Sequence, residues 1–282
     1  MPLTIAVHDD TASIQIVGDG DLDDATFYYN KNNTGWQTLD IWGEGISADD
    51  GDIIQLSGVG GGNVNYEYHW YLTAGDSDAH LEVYGNLSTI YSSEDSDQLY
   101  TKFFENCTPL TGAYNLVLPT IDHDYAPYQY LFNGCSNLVT GPKLITCTYE
   151  HGLPMNCLYA MFQGCIALHY IGADWDSWYD DSFDSDDGTS EWVGVNGSGQ
   201  DVPSTGTFVR TTSVPFEKND PNSDYSNSHI PYNWTVVDLV NGVYYLDDGT
   251  GTPTNTVVTI NSDGTINQWG ESWFKIFLLD QI

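Results

Sequence analysis

Leu131-Phe132-Asn133-Gly134-Cys135-Ser136-Asn137-Leu138 is the middle copy of a pattern that the chain carries three times. The first copy is Phe104-Glu105-Asn106-Cys107-Thr108-Pro109-Leu110, and the third is Phe162-Gln163-Gly164-Cys165-Ile166-Ala167-Leu168. Each reads Phe-x-x-Cys-x-x-Leu, and the cysteines are 28 and then 30 residues apart. A period of roughly 20–30 residues with apolar positions in register is the signature of a leucine-rich-repeat solenoid. One such unit cannot bury its apolar face alone, so neighbouring units must stack. Before each cysteine, Leu99–Phe104, Tyr128–Phe132 and Cys157–Phe162 read as short helices. Tyr128 with Phe132 and Leu158 with Phe162 are one turn apart and face the interior. Asn106, Gly134 and Gly164 stand where such a helix must stop, and both residue types tolerate left-handed backbone. After each leucine the chain reads as extended, at Asn115–Pro119, at Pro142–Thr148 and briefly at Ile171.

Upstream, residues 1–93 read as an antiparallel β-sandwich. Leu3–Val7, Ser13–Val17, Thr26–Asn30, Gly35–Leu39, Asp52–Leu56, Tyr66–Thr73, His80–Tyr84 and Leu87–Tyr91 are short apolar or alternating runs between Gly, Asn and Asp. Spacing of that kind suits a sandwich, and Lys31-Asn32-Asn33-Thr34 suits a hairpin connection. Residues 94–238 form the solenoid of three repeats, with an acidic loop and two closing strands at Thr205–Arg210 and Trp234–Leu239. Residues 239–282 read as β-hairpins, because Asn261-Ser262-Asp263-Gly264 supplies the positive φ angles of a tight turn. The expected fold class is thus mixed and mainly β: sandwich, short solenoid, hairpin module. The apolar run Phe274-Lys275-Ile276-Phe277-Leu278-Leu279 either packs in the last module or docks on another chain.

Composition narrows the function. The chain has 282 residues, 40% of them hydrophobic, which suffices for a packed core. Six Lys and Arg face forty Asp and Glu, for a net charge of −34. Nucleic-acid binding needs a basic stripe to neutralise phosphate, and anionic membrane surfaces need the same, so both are excluded. No apolar run approaches the roughly 18 residues of a membrane span. Met1-Pro2-Leu3-Thr4-Ile5 lacks the basic and apolar regions of a Sec signal peptide. An aromatic content of 14% argues for β structure and against disorder. The five cysteines all lie among the repeats, an odd number without Cys-x-x-Cys spacing, and so read as buried thiols.

Two stretches are candidate sites. Asp174-Trp175-Asp176-Ser177-Trp178-Tyr179 mixes aromatic rings with carboxylates, which is how a sugar site stacks on ring faces and accepts hydroxyl hydrogens. Trp175, Trp178 and Tyr179 are its candidate ligand-binding residues; the alternative is an acidic insertion whose tryptophans lie against the last repeat. Asp19-Gly20-Asp21-Leu22-Asp23-Asp24 sets carboxylates at alternate positions, as calcium-binding loops do. Asp19, Asp21 and Asp23 are its candidate metal ligands and calcium the candidate cofactor, although the loop lacks the Gly and Glu of an EF-hand; otherwise it is a solvated acidic turn. The sequence contains no Gly-x-Ser-x-Gly elbow, Walker loop or Rossmann fingerprint. His123, between Asp122 and Asp124, reads as a turn residue. The expectation is a protein that is not an enzyme.

The repeats also resemble a known family. Cys157-Leu158-Tyr159-Ala160-Met161-Phe162-Gln163-Gly164-Cys165-Ile166-Ala167-Leu168 is similar to the repeat of BspA-like leucine-rich-repeat surface proteins, found in bacteria and in phages. Asn106-Cys107-Thr108 leading to Asn115–Pro119 resembles the family's entry repeat. Ser204–Val209, Trp192–Val195 and Ile230–Val236 resemble its closing segment. The likeness covers about residues 20–238. It implies surface display and adhesion-type binding without a catalytic residue to transfer. The expected function is a virion component: a capsid decoration, head fibre or tail appendage displayed on the virion surface. Its partners would be virion or other surface-scaffold proteins, and host-surface glycans. The alternative is an adhesin on the bacterial cell surface.

Overall fold

A computed structural model of the chain describes residues 1–19, 25–59, 68–75, 78–90, 100–122, 126–178, 188–195, 198–211, 214–220, 227–239, 243–247, 253–259 and 276–277. The protein is mainly β, with solenoid-like stacking of its coils. No helix among the described residues is long and apolar enough to cross a membrane.

The N-terminal strands are β1 (Leu3–His8), β2 (Ala12–Asp19), β3 (Thr26–Lys31), β4 (Gln37–Thr38), β5 (Ile46–Ala48), β6 (Ile53–Val59), β7 (His69–Thr73) and β8 (His80–Asn86). β8, β1, β6, β3 and β4 lie side by side, all antiparallel; β5, β2 and β7 make a second antiparallel sheet. β6 and β8 alternate buried with more exposed residues, the period of strands that cover a core on one face. The two sheets share that core: Phe27 on β3 meets Trp70 on β7 edge-on, with ring centroids 5.0 Å apart. Leu87–Thr89 is a 3-10 turn rather than the expected strand, because the Asn86 side chain accepts from Ser88 N–H and turns the chain.

The stretches expected as helices are overlapping tight turns instead. Phe103, Glu105 and Cys107 donate backbone N–H three residues back, to Tyr100, Lys102 and Phe104. The residues between them donate forward to the next coil: Tyr100 to Pro127, Lys102 to Gln129, Phe104 to Leu131 and Asn106 to Asn133, at 2.7–3.2 Å. The same alternation joins the second coil to the third through Tyr128, Tyr130, Phe132 and Gly134. It then joins the third to a fourth at 188–195, through Leu158, Ala160 and Phe162. An α-helix needs every N–H for its own i−4 carbonyl. Here half of them are committed to the neighbouring coil, and Lys102, Tyr130 and Ala160 take φ of 50–62° to aim them; Glu191 has the same φ in the fourth coil. Asn106, Gly134 and Gly164 are left-handed, as the sequence suggests.

Side chains follow the same register. Phe104, Phe132 and Phe162 are fully buried and stack with parallel planes, 5.3 and 5.6 Å between centroids. The Cys135 thiol donates to Phe104 O at 2.9 Å, and the Cys165 thiol to Phe132 O at 3.1 Å.

On the other side of the coils lie β9 (Leu110–Gly112), β10 (Leu116–Val117), β11 (Ile145–Thr146), β12 (Tyr170–Asp174), β13 (Thr207–Thr211) and β14 (Thr235–Leu239). All pairings among the coils are parallel, since each coil returns in the same direction. β9 and β10 pair with β8. Single bridges run from Gly112 to Thr140 and from Thr140 to Tyr170. β12, β13 and β14 then align Tyr170 with Thr207 and Thr235. A parallel ladder therefore runs from β8 to β14, and the buried core extends without a break from Leu3 to Trp234. Coils approach closely at Gly172, where a Cβ would lie 1.8 Å from Lys143 O. Beyond the ladder, β15 (Val243–Asp247) pairs antiparallel with β16 (Pro253–Thr259) and β17 (Ile276–Phe277).

Truncating the middle ring of the stack tests this packing. Phe132→Ala is expected to lower the free energy of unfolding by about 3–5 kcal/mol, measured by urea denaturation. A loss below about 1 kcal/mol would show that the ring stack does not hold the coils together.

Candidate binding cleft

The candidate residues Trp175 and Trp178 are 1% and 0% exposed. They pack edge-on against each other at 5.1 Å and against Trp192, with Phe208 beside Trp178. Stacking on a sugar needs an open ring face, and neither ring has one here. Trp175 follows β12 in the phase of the buried Ile171 and Ala173, whereas Trp178 lies beyond the strand and is placed by its ring contacts. The indoles serve as clamps on the closing segments instead: Trp178 Nε1 donates to Pro215 O at 3.1 Å, Trp192 Nε1 to His229 O at 3.0 Å and Trp234 Nε1 to Pro203 O at 2.8 Å. Tyr179 lies outside the described residues, as do Asp21 and Asp23. Asp19 ends β2, paired with His69 on β7. No group of three His, Cys, Asp or Glu among the described residues is arranged to hold a metal ion.

All five cysteines are free and buried. Burial pushes the Cys107 thiol up to about 12 and Cys147 up to about 11, and raises Cys135, Cys157 and Cys165 well above the ordinary thiol range. The thiolate is the reactive form, so these groups are chemically quiet at neutral pH and act as small core residues.

At the closing end Phe216 is exposed, under Arg210 and Lys218; the exposed tryptophans lie at the opposite end of the ladder, on the N-terminal unit. β4 and β5 are the outer strands of their two sheets. Between them opens a cleft of about 250 Å³ lined by Tyr29, Lys31, Asn32, Gln37, Ile46 and Ser47, with Thr34 and Gly45 at its ends. Lys31 builds its floor: Nζ donates to Ser47 O at 2.8 Å and pairs with Asp52 at 2.6 Å, tying β3 to β5 and to the start of β6. Asp52 also accepts from Asp49 N–H at 2.7 Å and from Asn32 Nδ2 at 2.6 Å. The Asp49 amide, then Lys31 and Asn32, hold its carboxyl down at about 2. Tyr29 Oη donates to Gln37 Oε1 at 3.1 Å, which fixes the Gln37 amide along one wall.

Two exposed tryptophans lie in the segments that flank the lining residues in sequence. Trp36, 50% exposed, lies in the hairpin connection next to Gln37. Trp42, 81% exposed, lies on the loop that joins Gln37 to Gly45. That loop is pinned although its tryptophan is not covered. Trp42 N–H donates to Asp40 Oδ1 at 3.0 Å, Gly43 N–H to Asp40 O at 3.1 Å, and Gln15 Nε2 to Gly43 O at 2.8 Å. Sequence reasoning missed this cleft because β5 is three residues long and gives almost no strand signal. The pairs Gly35-Trp36 and Trp42-Gly43, each a large ring beside a turn residue, were the available cue.

Charge around the cleft is shaped by scarcity. Five of the six basic residues are described, and each serves the fold. Besides Lys31, Arg210 pairs with Asp238 across β13 and β14 at 2.6 Å, and Lys218 donates to Trp234 O at 2.7 Å. Lys102 lies over the Tyr130 ring at 5.6 Å, and burial lowers Lys143 to about 8. The remaining surface carries the negative charge. No protein-family model, curated protein or solved structure matches this chain.

The pKa shifts set two pH windows. Raised thiol pKa values favour the protonated fold, so this stabilisation is complete below about pH 8.5 and is lost as pH climbs towards 11–12. Denaturation midpoints should be flat from pH 7 to 8 and fall steeply above 9, and iodoacetamide at pH 8 should label the native protein far more slowly than the urea-unfolded one. Asp52 has a depressed pKa, so its contribution is present above about pH 4 and is lost between about 4 and 2. Asp52→Asn should flatten the acid limb of the stability curve in that window, as read by urea midpoints at pH 5 and pH 3.

Proposed function

We propose that this is a non-enzymatic display protein whose N-terminal unit, read as a β-sandwich, carries an adhesion-type binding cleft on a rigid solenoid. The C-terminal hairpin module, with its apolar run from Phe274 to Leu279, attaches the column to a scaffold. The observation that carries this reading is the parallel pairing that runs from β8 to β14, through single bridges at Thr140. It joins the unit that holds the cleft to the repeats through shared hydrogen bonds. A ladder of this kind transmits position over several coils, which suits a spacer. The likeness of the repeats to BspA-like surface proteins supports display, and the reading extends to a virion surface: a capsid decoration, head fibre or tail appendage. Net charge of −34 keeps crowded copies apart until a partner or cation intervenes.

Mass spectrometry of purified phage particles and of the surface fraction of producing cells tests the proposal. The expected result is stoichiometric incorporation in particles, through contacts with virion proteins. Enrichment at the cell surface alone would move the protein to the bacterial adhesin reading. Recovery solely from the soluble cell interior would overturn display altogether.

A further inference from the structure

We propose that the cleft between β4 and β5 binds an uncharged saccharide against Tyr29, with the exposed tryptophans of the flanking segments, Trp36 and Trp42, adding ring contacts. This rests on the reading of the cleft as the binding end of the protein, and names its ligand class.

Three features of the cleft select that chemistry. The first is ring exposure on anchored backbone. Trp42 leaves most of its indole in water although Asp40 and Gln15 fix its loop by three hydrogen bonds. Tryptophan is normally mostly buried, and a large apolar ring held out by ordered backbone is characteristic of a contact site. The C–H face of a pyranose matches an indole face, and a fixed loop reduces the ordering cost of binding.

The second is the wall chemistry. Asn32, Thr34, Gln37 and Ser47 line the cleft together with Tyr29, and Ile46 is its one apolar aliphatic side chain. These groups donate and accept in short range, as hydroxyl-rich ligands require, whereas a lipid or drug-like ligand wants predominantly apolar lining. Gln37 spends its Oε1 on Tyr29 and keeps its amide hydrogens for a ligand oxygen. The volume of about 250 Å³ falls below the 300–1,000 Å³ of drug-sized pockets and suits one or two sugar rings at a chain end.

The third is charge. Lys31 is the cation of the cleft and is neutralised by Asp52 at 2.6 Å. Asp40 and Glu44 flank Trp42 on its loop, and the protein as a whole is strongly acidic. Sialylated, uronic or phosphorylated glycans would meet repulsion without an available counter-charge. Neutral hexoses and N-acetylhexosamines would not.

A glycan array probed with the full chain, followed by calorimetric titration of the best ligands, tests this. Neutral glycans should bind and acidic ones should not. Trp42→Ala and Gln37→Ala should each weaken binding about tenfold, since loss of one ring contact or one directed hydrogen bond is of that size. Both positions are exposed, so circular dichroism should show unchanged folding. Preferential binding of acidic glycans, or neutral binding that survives both substitutions, overturns the proposal. Binding of the labelled chain to host cells separates the two readings. If the array is blank yet cell binding is lost in Trp42→Ala, the saccharide class is wrong while the cleft remains the binding end. If cell binding is unaffected by either substitution, the cleft is not the binding end either.

Discussion

The alternating commitment of backbone N–H groups is the constraint on which the architecture depends. In each coil, one amide closes a turn within its own chain segment and the next reaches across to the following coil. Buried amides must find partners, and this scheme satisfies them in two directions at once. Its conformational cost falls on the residues that aim the outward amides. Lys102 and Tyr130 adopt left-handed φ, where side chains are unwelcome by roughly 1–2 kcal/mol. Hydrogen bonds to the next coil and stacking of the phenylalanine rings offset that cost. Neither compensation exists for an isolated coil, so the coils are stable only in a stack.

A stack has two ends, and each is closed differently. At the start, β8 and β7 extend into the first coil: Leu81 pairs with Leu110, and Leu72 N–H donates to Phe103 O at 2.7 Å. Both N-terminal sheets therefore cap the solenoid. At the far side, the core is sealed by indoles, whose N–H groups hold carbonyls of Pro203, Pro215 and His229. A tryptophan fills the space of two smaller residues and still binds a passing strand through one polar atom. That dual use accounts for aromatic residues in an otherwise polar, acidic stretch.

The repeats were legible because their period survives divergence: Phe, Cys and Leu recur in register, and all are buried in the stack. The left-handed residues before each cysteine were legible for the same reason. Helical spacing was misleading. Tyr128 and Phe132 do both face the core, but a chain of turns with every second amide directed outward also brings residues four apart to one face. The fourth coil at 188–195 was obscured because Val193 replaces the phenylalanine and Trp192 sits beside it. Trp175 and Trp178 stand in a stretch of acids and aromatics that can be read as a sugar platform or as an insertion whose tryptophans lie against the last repeat, and the structure has the latter burial. For Trp175 the decision lies in the phase of β12, which is set by pairing with β13 across the ladder; Trp178 is fixed by packing on Trp192 and Phe208 and by its hydrogen bond to Pro215 O.

The same phase logic bears on the exposed tryptophans of the N-terminal unit. Within the ladder each inward position faces a neighbouring coil and is filled, so large rings there become core. β4 and β5 are outer strands of two sheets, and no described strand pairs with their outer edges. The gap between them is spanned by one cation, Lys31, in a chain that has few to spend. Placing it there leaves the cleft shaped but uncharged, with Asp52 satisfied and the amide of Gln37 held to one wall. A site built this way gains selectivity from the surrounding negative field as well as from contacts. It admits ligands whose recognition comes from hydroxyl geometry and ring faces, and it rejects those that need a free positive charge.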